Sequence, residues 1–124
     1  MALQESGEMY LETIYMLSLE STSVRAIDIG EQLGYSKPSV SRALGILKDE
    51  GLIKKDSDGY IKLTEAGEIL AKRTYERHTV LTKLFIELGV DEKTASEDAC
   101  RVEHYISDKT FDAMKEHLKQ YGSC

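Results

Sequence analysis

Residues 24–63 read VRAIDIGEQLGYSKPSVSRALGILKDEGLIKKDSDGYIKL, and this pattern predicts two short helices followed by a hairpin. The first helix is predicted over residues 24–33, and Gly34 closes it. Ser36 is placed as an N-cap with Pro38 in the first helical turn, where the missing amide hydrogen of proline costs nothing. Apolar residues then recur at helical spacing from Val40 to Leu47, and Gly51 ends this helix. Helix, glycine-containing turn and helix predict a helix-turn-helix.

A β-hairpin is predicted directly after this pair of helices. Residues 52–55 and 60–63 are short strand candidates, and the intervening Asp-Ser-Asp-Gly supplies turn residues that tolerate positive φ. The hairpin carries lysines and follows the second helix at once. We therefore interpret it as a wing beside that helix.

Helices are predicted on both sides of this segment. Ser6 can cap a first helix that ends near Leu19. Three further helices are predicted over residues 64–88, 91–106 and 107–121. The predicted fold class is therefore mainly α, with a winged helix-turn-helix domain at residues 1–71 and a helical dimerisation domain at residues 72–124.

Composition excludes several classes of protein. The chain has 124 residues, of which 41% are hydrophobic and 31% charged. No run approaches the roughly 20 apolar residues that a membrane span needs, and the first residues lack the layout of a signal peptide. We expect a cytoplasmic protein. The two cysteines, Cys100 and Cys124, are expected to be free thiols in that reducing compartment.

The net charge of −6 is unusual for a protein that binds nucleic acid. The acidity, however, lies mostly outside the helix-turn-helix and wing. Residues 22–64 carry seven Lys or Arg against six Asp or Glu, whereas residues 1–21 carry four Glu and no basic residue. The charge distribution therefore permits DNA binding by the predicted winged helix.

The start of the second helix of the pair has the chemistry of a DNA-reading element. A helix N-terminus presents free N–H groups to phosphate, hydroxyl side chains can bond phosphates or base edges, and arginine can bind phosphate or guanine. The lysines of the wing suit the DNA backbone. The predicted DNA-binding residues are Ser36, Lys37, Pro38, Ser39, Ser41, Arg42, Lys54, Lys55 and Lys62.

A second group of residues has the chemistry of a metal site. Cys100, Glu103 and His104 are spaced to share one face of a helix that turns about 100° per residue. Thiolate, carboxylate and imidazole together favour a divalent transition metal over Mg²⁺ or Ca²⁺. Further candidate ligands are Met9, Glu12 and His78.

The chain resembles the DtxR/MntR family of metal-dependent transcriptional repressors over nearly its whole length. The segments that carry the resemblance are EMYLETIY at residues 8–15, SKPSVS at 36–41, Arg77-His78, ACRVEH at 99–104 and Ser107-Asp108. The resemblance is to the short form of the family without a C-terminal SH3-like domain. It implies a homodimer that binds double-stranded operator DNA when a metal ion activates it.

The resemblance also implies metal ligands. The iron-responsive branch of the family has ligands at positions that match Met9, Cys100, Glu103 and His104. The manganese-responsive branch shares Glu12, His78, Glu103 and His104 but has carboxylates in place of Met9 and Cys100. In the second site of the iron branch, the glutamate expected after the histidine that matches His78 is Thr82 here, and the other histidine falls near Ser96. We expect Fe(II) as first choice and Mn(II) as second, with one or two ions per subunit.

This interpretation predicts a mechanism in which ligands from the N-terminal helix and from the fifth helix bind one shared ion. That ion would fix the spacing of two reading helices in a dimer, which must enter successive major grooves about 34–36 Å apart. The genes controlled would be those of metal homeostasis. No membrane and no small-molecule substrate are expected as partners.

Three alternatives stay open at the level of sequence. A winged-helix regulator could respond to redox change or to a small molecule through Cys100 without metal. The metal could be structural in a winged helix that binds protein. A metalloenzyme is the third, but the chain has no HExxH, GxSxG, Walker or GxGxxG motif, so we predict that it is not an enzyme.

Overall fold

The computed structural model describes residues 5–121. Within that range the elements are α1 (Glu5–Glu20), α2 (Ala26–Leu33), α3 (Lys37–Asp49), β1 (Ile53–Lys55), β2 (Ile61–Leu63), α4 (Glu65–Glu87), α5 (Glu92–Val102) and α6 (Asp108–Tyr121). The predicted order of three helices, a hairpin and three helices is confirmed. None of these helices combines the length and apolar character that crossing a membrane requires.

The chain divides into two compact units, residues 1–72 and residues 73–124. The boundary between them lies within α4. The first unit contains α1 to α3 and the hairpin, and its buried cluster draws on all of these elements. The members of that cluster are Tyr10, Leu11, Ile14, Val24, Ile29, Val40, Leu44, Leu47, Leu52, Ile53, Ile61 and Ala71.

The turn between α2 and α3 is the one that the sequence predicts. Gly34 adopts a left-handed φ of 73°, and its amide donates to the carbonyl of Gly30 at 2.8 Å, which ends α2. Ser36 is the N-cap of α3, and its hydroxyl oxygen accepts from the amide of Ser39. α3 buries Val40, Leu44 and Leu47 and leaves its opposite face in solvent.

The hairpin pairs β1 with β2 in antiparallel register, with Ile53 opposite Leu63 and Lys54 opposite Lys62. After β2, the hydroxyl of Thr64 accepts from the amide of Gly67 at 3.1 Å and thereby caps α4. Gly67 lies so close to the carbonyl oxygen of Leu52 that an added Cβ would be 1.9 Å from it. Only glycine allows this approach of α4 to the hairpin.

The second unit contains the remainder of α4 together with α5 and α6. Buried residues on α4 follow helical spacing at Thr74, Arg77, Leu81 and Leu84. Asp91 caps α5 by accepting from the amide of Thr94 at 2.9 Å. Ser107 does the same for α6 with the amide of Thr110 at 3.2 Å. Both helices begin within one residue of their predicted starts.

Three predicted helix boundaries are wrong. Ser6 lies inside α1 rather than at its cap. α2 begins two residues later than predicted, because the carbonyl of Val24 accepts from the amide of Ile61 at 2.8 Å and so belongs to the edge of the hairpin. The fifth helix ends at Val102 instead of Ile106.

Candidate functional site

Three of the predicted metal ligands lie together in the second unit. Nδ1 of His78, on α4, is 3.0 Å from Oε2 of Glu103, and Nε2 of His104 is 3.4 Å from Oε1 of the same carboxylate. The side chains of Glu103 and His104 are each only 1% exposed. A buried carboxylate therefore lies between two imidazoles, each close to a different oxygen.

Glu103 and His104 do not lie on α5, as the sequence predicts, but in the turn that follows it. Glu103 keeps helical backbone angles as the C-cap, and its amide donates to the carbonyl of Ala99 at 2.9 Å. Cys100 lies on the helix itself, is half-buried and forms no disulfide. Cys124 is outside the described residues.

Hydroxyl side chains surround His78 at the positions where the resemblance implies a second site. The hydroxyl of Ser96 is 3.4 Å from Nε2 of His78. Thr82 uses its hydroxyl within α4, where it donates to the carbonyl of His78 at 2.7 Å. These two residues therefore support the imidazole and its helix, and they lack the imidazole and carboxylate of the iron branch.

Met9 and Glu12 belong to the first unit, one helical turn apart on α1. The thioether sulfur of Met9 accepts a hydrogen bond from the hydroxyl of Tyr35 at 3.4 Å. Glu12 is half-buried. Whether either residue shares an ion with the residues of the second unit stays a prediction.

The donor set of the second unit fits a divalent transition metal. Two imidazole nitrogens and a carboxylate are ligands that iron, manganese and zinc accept, whereas Mg²⁺ and Ca²⁺ prefer oxygen alone. A carboxylate buried to this degree also requires a positive partner or hydrogen-bond donors. We call His78, Glu103 and His104 the ligand cluster.

The sequence did not predict the contacts that Arg77 and Asp108 form with each other and with the turn after α5. Arg77 is buried, and its guanidinium forms an ion pair with Asp108, which also pairs with Arg73 at 2.6 Å. Although desolvation opposes ionisation, Arg73 and Arg77 hold the pKa of Asp108 below its ordinary value of 3.8. The available signal was the charge of Arg77 at the same helical spacing as the apolar residues Leu81 and Leu84.

The predicted DNA-reading residues lie at the exposed start of α3. Ser36, Lys37, Pro38, Ser39, Ser41 and Arg42 are all exposed. The hydroxyl of Ser36 donates to the hydroxyl of Ser39 at 2.9 Å, in addition to capping the helix. The start of α3 therefore presents hydroxyl groups and the two cations Lys37 and Arg42 to solvent.

The wing adds positive charge to this unit. Lys54 and Lys55 are exposed, while Lys62 donates from Nζ to the carbonyl of Thr22 at 2.5 Å. Lys54 and Lys62 are directly opposite each other, an arrangement of like charges that costs stability in an isolated hairpin. Lys37, Lys48, Lys54 and Lys55 border an open groove of about 640 Å³ between α2, α3 and the wing.

Comparison with known proteins matches both halves of the chain to family models. Residues 2–61 match the model described as the iron dependent repressor N-terminal DNA binding domain. Residues 64–124 match the iron dependent repressor metal binding and dimerisation domain. The two matches follow one another along the chain with two residues between them.

Individual relatives agree with these matches. The chain is 34% identical to the transcriptional regulator MntR of Escherichia coli O6:H1, covering 92% of this chain and 74% of the relative. It is 33% identical to the iron-dependent repressor IdeR of Mycobacterium tuberculosis, covering 86% of this chain and 46% of the relative. The manganese regulator SloR superposes with a TM-score of 0.83 at 30% identity, covering 95% of this chain and 55% of that one.

The chain therefore spans about half the length of two of these three proteins. Each of the three is named as a regulator or repressor, and two are named for a metal. The alternative of a regulator that uses Cys100 without metal receives no support from them.

Proposed function

The chain belongs to the iron-dependent repressor family, and on this premise we propose that it represses transcription by binding operator DNA when a divalent transition metal activates it. The observation that carries the proposal is the ligand cluster, in which the buried carboxylate of Glu103 lies between His78 and His104. Members of this family are repressors, not enzymes, and the prediction that the chain is not an enzyme is confirmed.

For the metal we propose Fe(II) first and Mn(II) second, with one or two ions per subunit. His78, Glu103 and His104 are the proposed core ligands, and Met9, Glu12 and Cys100 are the proposed additional ones. Sulfur ligands favour the softer ion, which is the reason for placing iron first. Of the two relatives named for a metal, one is named for iron and the other for manganese.

For DNA we propose that the N-terminal turn of α3 reads base edges while the wing lysines contact the backbone. The base-reading and phosphate contacts at the helix start are proposed for Ser36, Lys37, Pro38, Ser39, Ser41 and Arg42. Lys54 and Lys55 are exposed and free to approach phosphates. The unfavourable opposition of Lys54 and Lys62 supports this assignment, because nearby phosphates would compensate two like charges.

We propose a homodimer that acts in the cytoplasm. The second half of the chain matches a dimerisation domain, and it exposes large apolar side chains at Ile86, Leu88 and Tyr105. These side chains are the candidates for the surface that the second copy would cover. Two copies would present two α3 helices to one operator.

The role of the metal is to change an equilibrium. A bound divalent cation would supply positive charge and fixed ligand directions, which stabilise the DNA-competent arrangement of the chain over others. By thermodynamic linkage, DNA must then tighten metal binding by the same factor. The side chains of Glu103, His78 and His104 already lie together in the second unit. Metal binding therefore has to order fewer side chains, which lowers its entropic cost.

The test replaces two of the three histidines of the chain: His104, and as a control His117, an exposed residue of α6 outside the ligand cluster. Parent, His104→Ala and His117→Ala proteins are titrated with Fe²⁺ or Mn²⁺ under anaerobic conditions, with a chelator control. Binding is measured to a duplex selected from a random library by the metal-loaded parent. His104→Ala should lose metal-dependent DNA binding and remain a folded dimer, while His117→Ala should behave as the parent. Full activation of His104→Ala would contradict the proposed site.

A further inference from the structure

Arg77 is a buried cation that reaches from α4 to the turn between α5 and α6. Its side chain is only 7% exposed. Nη1 donates to the carbonyl oxygen of Glu103 at 3.0 Å and to that of Ile106 at 2.7 Å. Carbonyls at the C-terminal end of a helix lack donors within the helix. The guanidinium of Arg77 supplies a donor to the carbonyl of the C-cap residue Glu103 and to a second carbonyl of the turn, that of Ile106.

The guanidinium is itself held from two sides. Its Nη2 donates to Oδ1 of Asp108 in the first turn of α6. Its Cζ atom lies 5.4 Å from the ring centroid of Phe111, within the range of a cation–π contact. One side chain therefore joins α4, the end of α5 and the beginning of α6.

Arg77 and His78 hold Glu103 at both of its ends. They are neighbours on α4, so their side chains diverge by about 100° around the helix axis. Arg77 binds the backbone carbonyl of Glu103, and Nδ1 of His78 is 3.0 Å from the carboxylate. A change in the backbone of the turn would therefore move the carboxylate away from the imidazole.

We propose that Arg77 is a positioning residue for metal binding, which fixes the turn so that Glu103 and His104 face His78 before an ion arrives. The inference rests on the proposed function. Asp108 is the counter-charge that keeps the guanidinium oriented. Without Arg77, two carbonyls lose a donor and the turn must be ordered by the metal itself, which weakens metal affinity.

The test compares Arg77→Lys with Arg73→Lys. Lysine keeps the charge but replaces a planar fork of donors by a single ammonium, which cannot bind two carbonyls and a carboxylate in the same geometry. Arg73 pairs with the same Asp108 but is exposed, and its contacts with the described residues do not reach the turn carbonyls. Arg73→Lys is therefore a matched control for the loss of an arginine beside Asp108.

The first measurement is Co²⁺ affinity by competition with a chromogenic chelator. Arg77→Lys should bind about 10–100-fold more weakly than the parent, as is typical when a group that orients metal ligands is lost. Arg73→Lys should match the parent. The second measurement is amide hydrogen exchange of the metal-free proteins. Arg77→Lys should accelerate exchange in residues 103–108 selectively, and Arg73→Lys should not.

Asp108→Asn is the substitute if Arg77→Lys does not fold, because the side chain of Asp108 is 65% exposed and its replacement creates no cavity. It should weaken Co²⁺ binding and accelerate exchange in the turn more than Arg73→Lys does. If the parent binds Co²⁺ and Arg77→Lys has the same Co²⁺ affinity and the same hydrogen exchange, this inference is overturned and the proposed function is not. A parent that binds no Co²⁺ would overturn the proposed function, and this inference with it.

Discussion

The hydroxyl of Tyr35 donates a hydrogen bond to the thioether sulfur of Met9, with 3.4 Å between the two atoms. Tyr35 immediately precedes the N-cap of α3, and its ring lies 5.9 Å from that of Tyr10. Met9 therefore contacts the residue at the entrance of the DNA-reading helix. The contact lies wholly within the first unit and needs no metal.

This contact allows two roles of Met9 to be separated. Met9→Leu conserves side-chain volume, so it should lower the free energy of unfolding by less than about 1.5 kcal/mol. Tyr35→Phe removes one hydrogen bond, which contributes about 0.5–1.5 kcal/mol or less. If Met9 is a metal ligand, Met9→Leu should weaken Mn²⁺ or Fe²⁺ binding, while Tyr35→Phe retains it. Metal affinity of both variants is measured by isothermal titration calorimetry. Equal metal affinity of the two variants would show that the sulfur of Met9 only accepts the hydrogen bond from Tyr35.

Glu103→Gln tests the carboxylate of the ligand cluster. Glutamine keeps the volume and one acceptor oxygen near Nδ1 of His78, so the variant should fold. It lacks the anionic oxygen that a cation needs, and Co²⁺ affinity should fall by at least about tenfold. Glu97→Gln, at an exposed position of α5, is the control. Unaltered Co²⁺ binding by Glu103→Gln would exclude Glu103 as a ligand.

Gly67→Ala tests the close approach of α4 to the hairpin. An added Cβ would lie 1.9 Å from the carbonyl oxygen of Leu52, so the backbone must shift. We expect a loss of about 1–3 kcal/mol in the free energy of unfolding, measured by urea denaturation. Gly45→Ala is the control within α3, where an added Cβ meets nothing within 4 Å. It should instead gain about 0.5–1 kcal/mol, because alanine is the better helix former.

Lys54→Gln and Lys62→Gln compare a lysine that is available to bind DNA phosphate with one that forms a hydrogen bond within the protein. Lys54 is exposed, whereas Nζ of Lys62 donates to the carbonyl of Thr22. Lys54→Gln should reduce the slope of log affinity against log salt by about 1, for specific and nonspecific duplexes alike. The slope for Lys62→Gln should change less. The reverse order would mean that Lys62 leaves Thr22 to bind DNA.

Asp108→Asn should remove part of the acid sensitivity of the fold. The pKa of Asp108 lies below 3.8 because Arg73 and Arg77 outweigh its desolvation. Its carboxylate therefore stabilises the folded state above its ordinary pKa, and this contribution is lost as the pH falls through the lower folded-state pKa. In urea denaturation across the acid range, the stability difference between parent and variant should shrink toward low pH. Asp112→Asn, on the same helix, is the control, and a pH-independent difference would contradict the assignment.

Local sequence was sufficient to place most of the helix boundaries. Gly34 ends α2 through its own positive φ, Ser36 begins α3 by binding the amide of Ser39, and Asp91 begins α5 by binding the amide of Thr94. Each of these devices acts over three or four residues, so the residue types at that spacing predict it. The order of helices and hairpin follows from such patterns, and so does the separation of the positive wing from the acidic remainder.

Only the tertiary structure decided where α5 ends and how the ligand cluster is built. α5 ends at Val102 and not at Ile106, in a turn whose carbonyls bind Arg77 from 26 and 29 positions earlier. The same folding brings His78 to Glu103, which lies 25 positions further along the chain. Spacing within a helix cannot predict such contacts. They depend on which side chains meet when α4, α5 and α6 pack, and on the need of a buried cation and a buried carboxylate for partners.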